Sequence, residues 1–204
     1  MTLLVDENIT FSEVEMSKAK VLSEAELKRV LAVVAQHGIL SNRNRVAVLL
    51  SHWAGMRAGE IAALRINNVL NDDGTIRDRV HLDATQTKGK RGRTVFLNSK
   101  LQREITKYLH QREWYDERKA LIQSQKGGHF SATTMVMLFR RIYDEAGLQD
   151  ARSHSGRRTF LTNLANRGVS VFVLQQLAGH KSIQTTQGYV TVNEDMMVKA
   201  AELI

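Results

Sequence analysis

Apolar residues recur every three or four positions along most of the chain, which is the spacing of amphipathic helices. The first predicted helix begins at a capping box, Ser23 with Glu26, and ends at His37-Gly38. An apolar segment from Ser131 to Gly147 follows the same rule. Further helices are predicted over Asn42–Gly55, Ala58–Leu64, Leu101–Leu109, His154–Asn166, Val171–Leu177, Ile183–Tyr189 and Asn193–Leu203.

The pattern changes between Arg65 and Leu97, where short β-type runs alternate with turn residues. The segment Gly89-Lys90-Arg91-Gly92 is flanked by two such runs, which predicts a hairpin with a basic tip. We therefore expect a mostly α-helical α+β fold with a small three-stranded antiparallel sheet. The predicted runs are Ile66–Leu70, Thr75–Leu82, Thr85–Lys88 and Arg93–Leu97.

The length and composition suit one globular domain. The chain has 204 residues, of which 43% are hydrophobic and 25% charged, enough for one sizeable core. Residues 1–20 have weak periodicity and are predicted to form an N-terminal arm, the main domain spans 21–192, and 193–204 form a C-terminal helix. No apolar run is long enough for a transmembrane helix. Cysteine is absent, which excludes disulfides, cysteine zinc sites and thiol nucleophiles and fits a reducing cytoplasm.

Charge adds the first functional indication. Lys and Arg number 29 against 21 Asp and Glu, giving a net charge of +8 and a pI near 9.9. A basic domain often binds a polyanion, and nucleic acid is the leading candidate. A charge that only keeps the protein soluble is the alternative. Proline is absent as well, which favours long helices.

Several residues have ordinary explanations when each is considered alone. Arg57 and Glu60 are spaced for a surface ion pair, and His154 and Arg157 for one face of a solvated helix start. A histidine near a helix C-terminus, such as His180, meets the helix dipole. The other two candidates are Lys88 at a polar hairpin tip and Tyr189 as a half-buried core residue.

Taken in order, five motifs containing these residues resemble the catalytic domain of the tyrosine recombinases, the phage integrase family. The resemblance covers about residues 21–192. The motifs are Gly55-Met56-Arg57-Ala58-Gly59-Glu60, Thr87-Lys88-Gly89-Lys90, His154-Ser155-Gly156-Arg157, Leu177-Ala178-Gly179-His180 and Thr185-Thr186-Gln187-Gly188-Tyr189.

The resemblance implies a site-specific recombinase that cuts and rejoins duplex DNA through a 3′-phosphotyrosyl intermediate, in integration, excision or inversion. Tyr189 would be the nucleophile, because a tyrosine hydroxyl can store the phosphodiester bond energy without ATP. Arg57 and Arg157 would place planar forks against phosphate oxygens. His154 would act as general base or acid, and Lys88 would protonate the leaving 5′ oxygen, with Lys90 as the alternative.

The remaining roles implied by the resemblance concern support and binding. His180 would donate to the phosphate and Glu60 would support the site, with no metal and no cofactor. We expect a monomer in solution and a tetramer on paired DNA sites, with exchange of residues 193–204 between neighbours and possible accessory DNA-bending proteins. The expected location is the cytoplasm, on the nucleoid, with no membrane contact. Predicted DNA contacts are Lys90, Arg91, Arg93, Arg158 and Lys181.

The chain departs from the family pattern at four positions, and two other functions stay open. Phe96 stands where proline is usual, and Gly156, Arg158 and Ala178 replace a usual leucine, histidine and leucine. Most members also carry an N-terminal core-binding domain, whereas about twenty residues precede the resemblance here, as in the short fimbrial-switch type or in a truncated chain. Ser170–Tyr189 also fits a non-catalytic helix-turn-helix, and the chain could instead be an accessory partner of a larger recombinase.

Overall fold

The computed structural model describes residues 19–87, 92–112, 116–190 and 194–202. Most of this part is helical, and a two-stranded sheet accompanies the helices. The helices are α1 (Glu24–Ala35), α2 (Ser41–Ala54), α3 (Ala58–Ala63), α4 (Ile66–Val69), α5 (Ser99–His110), α6 (Ala132–Glu145), α7 (Ser155–Asn166), α8 (Val171–Ala178), α9 (Ile183–Gln187) and α10 (Glu194–Ala201). The strands are β1 (Arg79–Leu82) and β2 (Arg93–Phe96). Within the described residues, no helix has the length and apolarity needed to cross a bilayer.

The predicted capping box at the start of α1 is confirmed. The Ser23 hydroxyl accepts from the Glu26 N–H at 3.2 Å, and the Glu26 carboxylate accepts from the Ser23 N–H at 2.9 Å. These two bonds satisfy donors that the helix cannot satisfy itself. Helix α1 packs against α2, the helix on which much of the main core is built.

Helix α2 runs through the centre of the domain and packs against α7, α5 and α1. It is buried nearly all round, so its apolar stripe is far less distinct than that of α5. A second, smaller core lies at the C-terminal side, where Leu161 and Ala165 of α7 pack on Leu174 and Ala178 of α8. Tyr189 packs against this second core, so the predicted nucleophile is held by α7 and α8.

The expectation of three strands is wrong for the described residues, which contain two. Ile66–Leu70 was expected as a strand, but Ile66–Val69 forms the short helix α4. The Asn68 side chain accepts from the Arg65 N–H at 2.9 Å and so caps this turn. Ile66, Val69 and Leu70 are all buried, at the i, i+3 and i+4 spacing of a helix. In so short an apolar run, the sequence pattern does not distinguish a helix from a buried strand.

The predicted hairpin is present, but its first strand is Arg79–Leu82 and not Thr85–Lys88. β1 pairs antiparallel with β2, and Val80 lies opposite Val95. Thr85–Lys88 was expected as that first strand, but Ala84–Gln86 form a 3₁₀ turn. The Gln86 side chain closes this turn by accepting from the Asp83 N–H at 3.0 Å. Of the expected tip, Gly89–Gly92, residues 89–91 lie outside the described residues.

Candidate active site

A buried carboxylate organises the arginines near the start of α3. Glu60 is 1% exposed, and both its oxygens accept from Arg57 and from Arg93. Its Oε1 lies 3.0 Å from Arg57 Nη1, and its Oε2 lies 2.7 Å from Arg93 Nη2. Burial alone would raise the pKa of Glu60, but the hydrogen bonds and charges of Arg93 and Arg57 lower it overall. The carboxylate is therefore ionised at neutral pH and holds both guanidinium groups in place.

Arg93 is held inside the domain although it also lines the cleft, and its predicted DNA contact stays a prediction. Its side chain is only 7% exposed, and besides Glu60 it donates from Nη1 to the Leu177 carbonyl at 2.7 Å. An arginine at the first position of a strand can point to either face, and here it points inward. Arg93 thus joins the hairpin to α3 and to the end of α8.

Arg157 is the most deeply buried of the predicted catalytic cations. It is 4% exposed and donates to the carbonyls of Gly55 at 2.8 Å and of Ala178, at the ends of α2 and α8. Its Nη2 also lies 3.1 Å from His180 Nε2. Burial, followed by the positive charges of Arg57 and Arg93, lowers the pKa of Arg157. The alternative of a solvated helix start is therefore wrong for this residue.

His180 follows the C-terminus of α8 and lies between Arg157 and Tyr189. Burial, then the charges of Arg157, Arg57 and Arg93, lower its pKa to about 4, so the ring is neutral at pH 7. Its Nδ1 lies 2.9 Å from the Thr186 hydroxyl. Because arginine only donates, the contact with Arg157 makes Nε2 an acceptor. The sequence predicts that His180 donates to a phosphate. In this structure its Nε2 accepts from Arg157 instead.

Tyr189 is half-buried and stacks on His180, with ring centroids 5.7 Å apart and planes inclined by 22°. The Arg158 guanidinium also lies over the tyrosine ring, 5.9 Å from the ring centroid. In the structure, Arg158 therefore packs on the predicted nucleophile, whereas the sequence predicts that it contacts DNA. Whether it also reaches DNA stays a prediction.

A cleft of about 590 Å³ opens beside this cluster. Arg57, His180 and the exposed Lys181 line it. Thr87 and Gly92, the described residues on either side of segment 88–91, line it too. Lys88, Lys90 and Arg91 lie outside the described residues, so their roles stay predictions. The complete lining is Arg57, Thr87, Gly92, Arg93, Gln176, Gly179, His180, Lys181, Ser182 and Thr185.

His154 stands apart from that lining. It is exposed and precedes α7, one turn before Arg157 on the same helix. Its backbone carbonyl accepts from the Arg158 N–H at 2.9 Å. The structure therefore places His154 and Arg157 on a shared helix start, and the catalytic role of His154 stays a prediction. In the described ranges, no group of three or more acidic or histidine residues is arranged to hold a metal ion.

Two glycines permit the close packing of this region. Gly179 ends α8 in the left-handed conformation, with φ of 61°, and a Cβ there would lie 2.8 Å from the Arg93 side chain. Gly156, where the family usually has leucine, faces α2, and a Cβ there would lie 2.8 Å from the His52 ring. His52 and Ser51 thus fill space next to Gly156, so α2 approaches α7 closely beside Arg157.

Comparison with known proteins identifies the family of the chain. Residues 20–196 match the model of the phage integrase family. The chain belongs to the phage integrase family. A curated member, tyrosine recombinase XerA of Thermococcus kodakarensis, is 32% identical to it over 193 residues. This alignment covers 93% of the present chain but 64% of the archaeal protein, so the chain spans less than two thirds of that relative.

Solved structures agree on the fold of this chain. The crystal structure of XerA recombinase matches with a TM-score of 0.71 and 24% identity, over 92% of this chain and 64% of the other. The integrase of transposon Tn1549, solved in complex with transposon right end DNA, matches with a TM-score of 0.66 and 18% identity, over 95% and 69%. Both likenesses show the mostly helical recombinase fold with its small sheet.

The sequence predicts no role for Thr186, which lies beside His180. Thr186 is fully buried and its hydroxyl contacts His180, whereas in the sequence it stands out only as part of the motif around Tyr189. Its distance of three residues from the tyrosine was the one available signal. The link from Arg93 to Leu177 had no sequence signal, because 84 residues separate the two.

Proposed function

We propose that this phage integrase is a site-specific DNA recombinase that cuts and rejoins duplex DNA through a 3′-phosphotyrosyl bond on Tyr189. The observation that carries the proposal is the contact of Tyr189 with His180, which in turn accepts from the buried Arg157. A cation-rich cleft lined by Arg57 opens beside these residues. A phosphodiester is the group that such a set of fixed donors next to a tyrosine hydroxyl would suit.

The proposed reaction exchanges one phosphodiester for another. The Tyr189 oxygen attacks the scissile phosphorus, the bond to the 5′ oxygen breaks, and the tyrosine proton passes to a base, for which His154 is the candidate. Lys88 supplies a proton to the departing 5′ oxygen. A 5′ hydroxyl of a second strand then attacks the phosphotyrosine in the reverse sense, which releases Tyr189 and joins the strands.

The two arginines would stabilise the negative charge that develops on the non-bridging oxygens. Arg57 is held at Nη1 by Glu60, and its side chain stays 27% exposed toward the cleft. Arg157 uses three of its five N–H donors in the contacts described above, and we propose that phosphate binding draws on the other two. A fixed donor aimed at developing charge contributes about 3 kcal/mol to transition-state stabilisation.

Duplex DNA is the proposed partner, at a target sequence that directs integration, excision or inversion. The Tn1549 integrase, which has the same fold, was solved in complex with transposon right end DNA. We propose that the protein is a monomer in solution and forms a tetramer on paired sites through exchange of the C-terminal segment. In that segment, Met197 and Val198 of α10 are 55% and 61% exposed, which suits a helix that docks on a neighbour. Action on chromosomal DNA would place the protein on the nucleoid.

The test is covalent capture on a suicide substrate, a nicked duplex whose cleaved fragment diffuses away. We expect the wild-type protein to give a DNA–protein adduct that survives denaturing electrophoresis, and Tyr189→Phe to bind the same DNA without one. A helix-turn-helix protein or an accessory partner would bind without any adduct. Because the target is unknown, the substrate is selected first from random duplexes by binding, and absence of an adduct on every selected duplex would contradict the proposal.

A further inference from the structure

The Thr186 hydroxyl contacts His180, a residue with a role in the proposed reaction. Its Oγ1 lies 2.9 Å from Nδ1 of His180, and Thr186 is fully buried in the short helix α9. Its backbone carbonyl accepts from the Tyr189 N–H at 3.0 Å. Thr186 therefore contacts the histidine with its side chain and the nucleophile segment with its main chain.

The position of the imidazole proton follows from its two neighbours. Arg157 Nη2 lies 3.1 Å from His180 Nε2, and a guanidinium has no lone pair to offer, so Nε2 accepts. A neutral imidazole carries a single proton, which is then on Nδ1. Nδ1 donates that proton to Thr186, since a hydroxyl can accept.

We propose that Thr186 is a positioning residue for His180, whose hydroxyl keeps the ring proton on Nδ1 and the lone pair of Nε2 directed at Arg157. The inference rests on the proposed function of this site. Without the hydroxyl, Nδ1 would lose its acceptor in a partly buried place, and the tautomer with a proton on Nε2 would become competitive. That tautomer would turn an N–H toward the N–H of Arg157, and the ring would have to move.

The charges around His180 give this arrangement a use. Arg157, Arg57 and Arg93 face the ring, and with burial they keep it neutral in the free protein. A phosphate anion in the cleft would offset those charges and draw a proton onto Nε2, the only ring nitrogen left to accept one. His180 would then donate from Nε2 to a phosphate oxygen, and the Arg157 Nη2 donor would turn from Nε2 to the phosphate, while Nδ1 stays bonded to Thr186. The hydroxyl thus reserves Nε2 for the substrate.

The test compares Thr186→Val, which keeps the shape without the hydroxyl, with Thr186→Ser, which keeps the hydroxyl. Long-range proton–nitrogen NMR of the free protein reports which ring nitrogen is protonated, and the His180 signals are those missing in His180→Gln. We expect Nδ1–H in the wild type and in Thr186→Ser, and a shift toward Nε2–H in Thr186→Val. Single-turnover adduct formation should be about tenfold slower or more in Thr186→Val, near wild type in Thr186→Ser, with DNA affinity unchanged in both.

Thr159→Val is the matched control for stability. The Thr159 hydroxyl is also buried, and it accepts from the Leu22 N–H at 2.9 Å, so its loss should destabilise the fold without moving the His180 tautomer. The proposal is overturned if wild-type His180 carries its proton on Nε2, if Thr186→Val reacts at the wild-type rate, or if Thr186→Ser or Thr159→Val is slowed equally. The NMR result does not depend on cleavage, so failure of the proposed function would be seen separately, as a wild-type protein without an adduct.

Discussion

Glu60→Gln is the substitution whose effect the structure defines most closely. The change keeps the size of the side chain but removes a buried negative charge from between Arg57 and Arg93. Each carboxylate oxygen accepts one bond from each arginine, at distances between 2.7 and 3.1 Å. A glutamine must present its NH2 group at one of these two positions, so either orientation of the amide replaces two hydrogen bonds with contacts between donors.

The expected loss in the free energy of unfolding follows from these lost contacts. Removing one partner of a buried ion pair costs about 3–5 kcal/mol, because the other charges stay buried without compensation. Arg57 keeps some solvent, so we expect a loss of about 3 kcal/mol in the free energy of unfolding at pH 7. Arg93 should lose its fixed position between α3 and α8, and adduct formation should fall together with stability.

Urea unfolding of the wild type and Glu60→Gln at several pH values measures this loss. The folded-state pKa of Glu60 is lowered, so its stabilisation is full above the unfolded pKa of about 4.3 and is lost as pH falls through the folded value. The difference between the two proteins should therefore shrink below about pH 4.

The matched control for Glu60→Gln is Glu104→Gln, which breaks the more exposed pair with Arg45, whose Nη2 lies 2.6 Å from Glu104 Oε1. It should cost about 1 kcal/mol and leave adduct formation unchanged. A loss under about 1 kcal/mol for Glu60→Gln, or wild-type cleavage by it, would refute the reasoning.

Three further predictions concern the cleft. Arg57→Lys and Arg157→Lys keep the charge but lose the planar fork, so adduct formation should fall at least about a hundredfold while DNA affinity, measured by fluorescence anisotropy, changes little; normal cleavage by both would contradict their roles. A substrate with a 5′-thiol leaving group needs no acid and should restore cleavage by Lys88→Ala in a gel assay, whereas rescue of Lys90→Ala alone would reverse that assignment. Gly179→Ala should lower the thermal midpoint and the cleavage rate together, because its φ of 61° and its closeness to Arg93 both exclude a Cβ; an unchanged midpoint would show that the loop adapts.

The helices were predictable because their signals are local. Ser23 with Glu26 caps α1, and apolar residues at helical spacing give α5 and α6 strong amphipathic faces. Helix α4 was not predictable, because Ile66–Val69 is too short for its period to be distinguished from a strand. In the structure, the Asn68 side chain caps this helix by accepting from the Arg65 N–H.

The candidate site was predictable as a set of residue types and not as a set of contacts. The motifs identified Arg57, Arg157, His180 and Tyr189, which the fold brings around one cluster. The direction of an arginine side chain depends on partners that are distant in sequence. Arg93 turns inward to Glu60 and Arg158 turns to Tyr189, and no local pattern contains that information.

The most direct test of the central claim is to identify the amino acid that carries the DNA. The chain has four tyrosines, and the suicide-substrate adduct can be digested with trypsin and nuclease and mapped by mass spectrometry. We predict one modified peptide, with a nucleotide joined through its 3′ phosphate to Tyr189. A nucleotide on Tyr108, Tyr115 or Tyr143, or on any serine, would contradict the account.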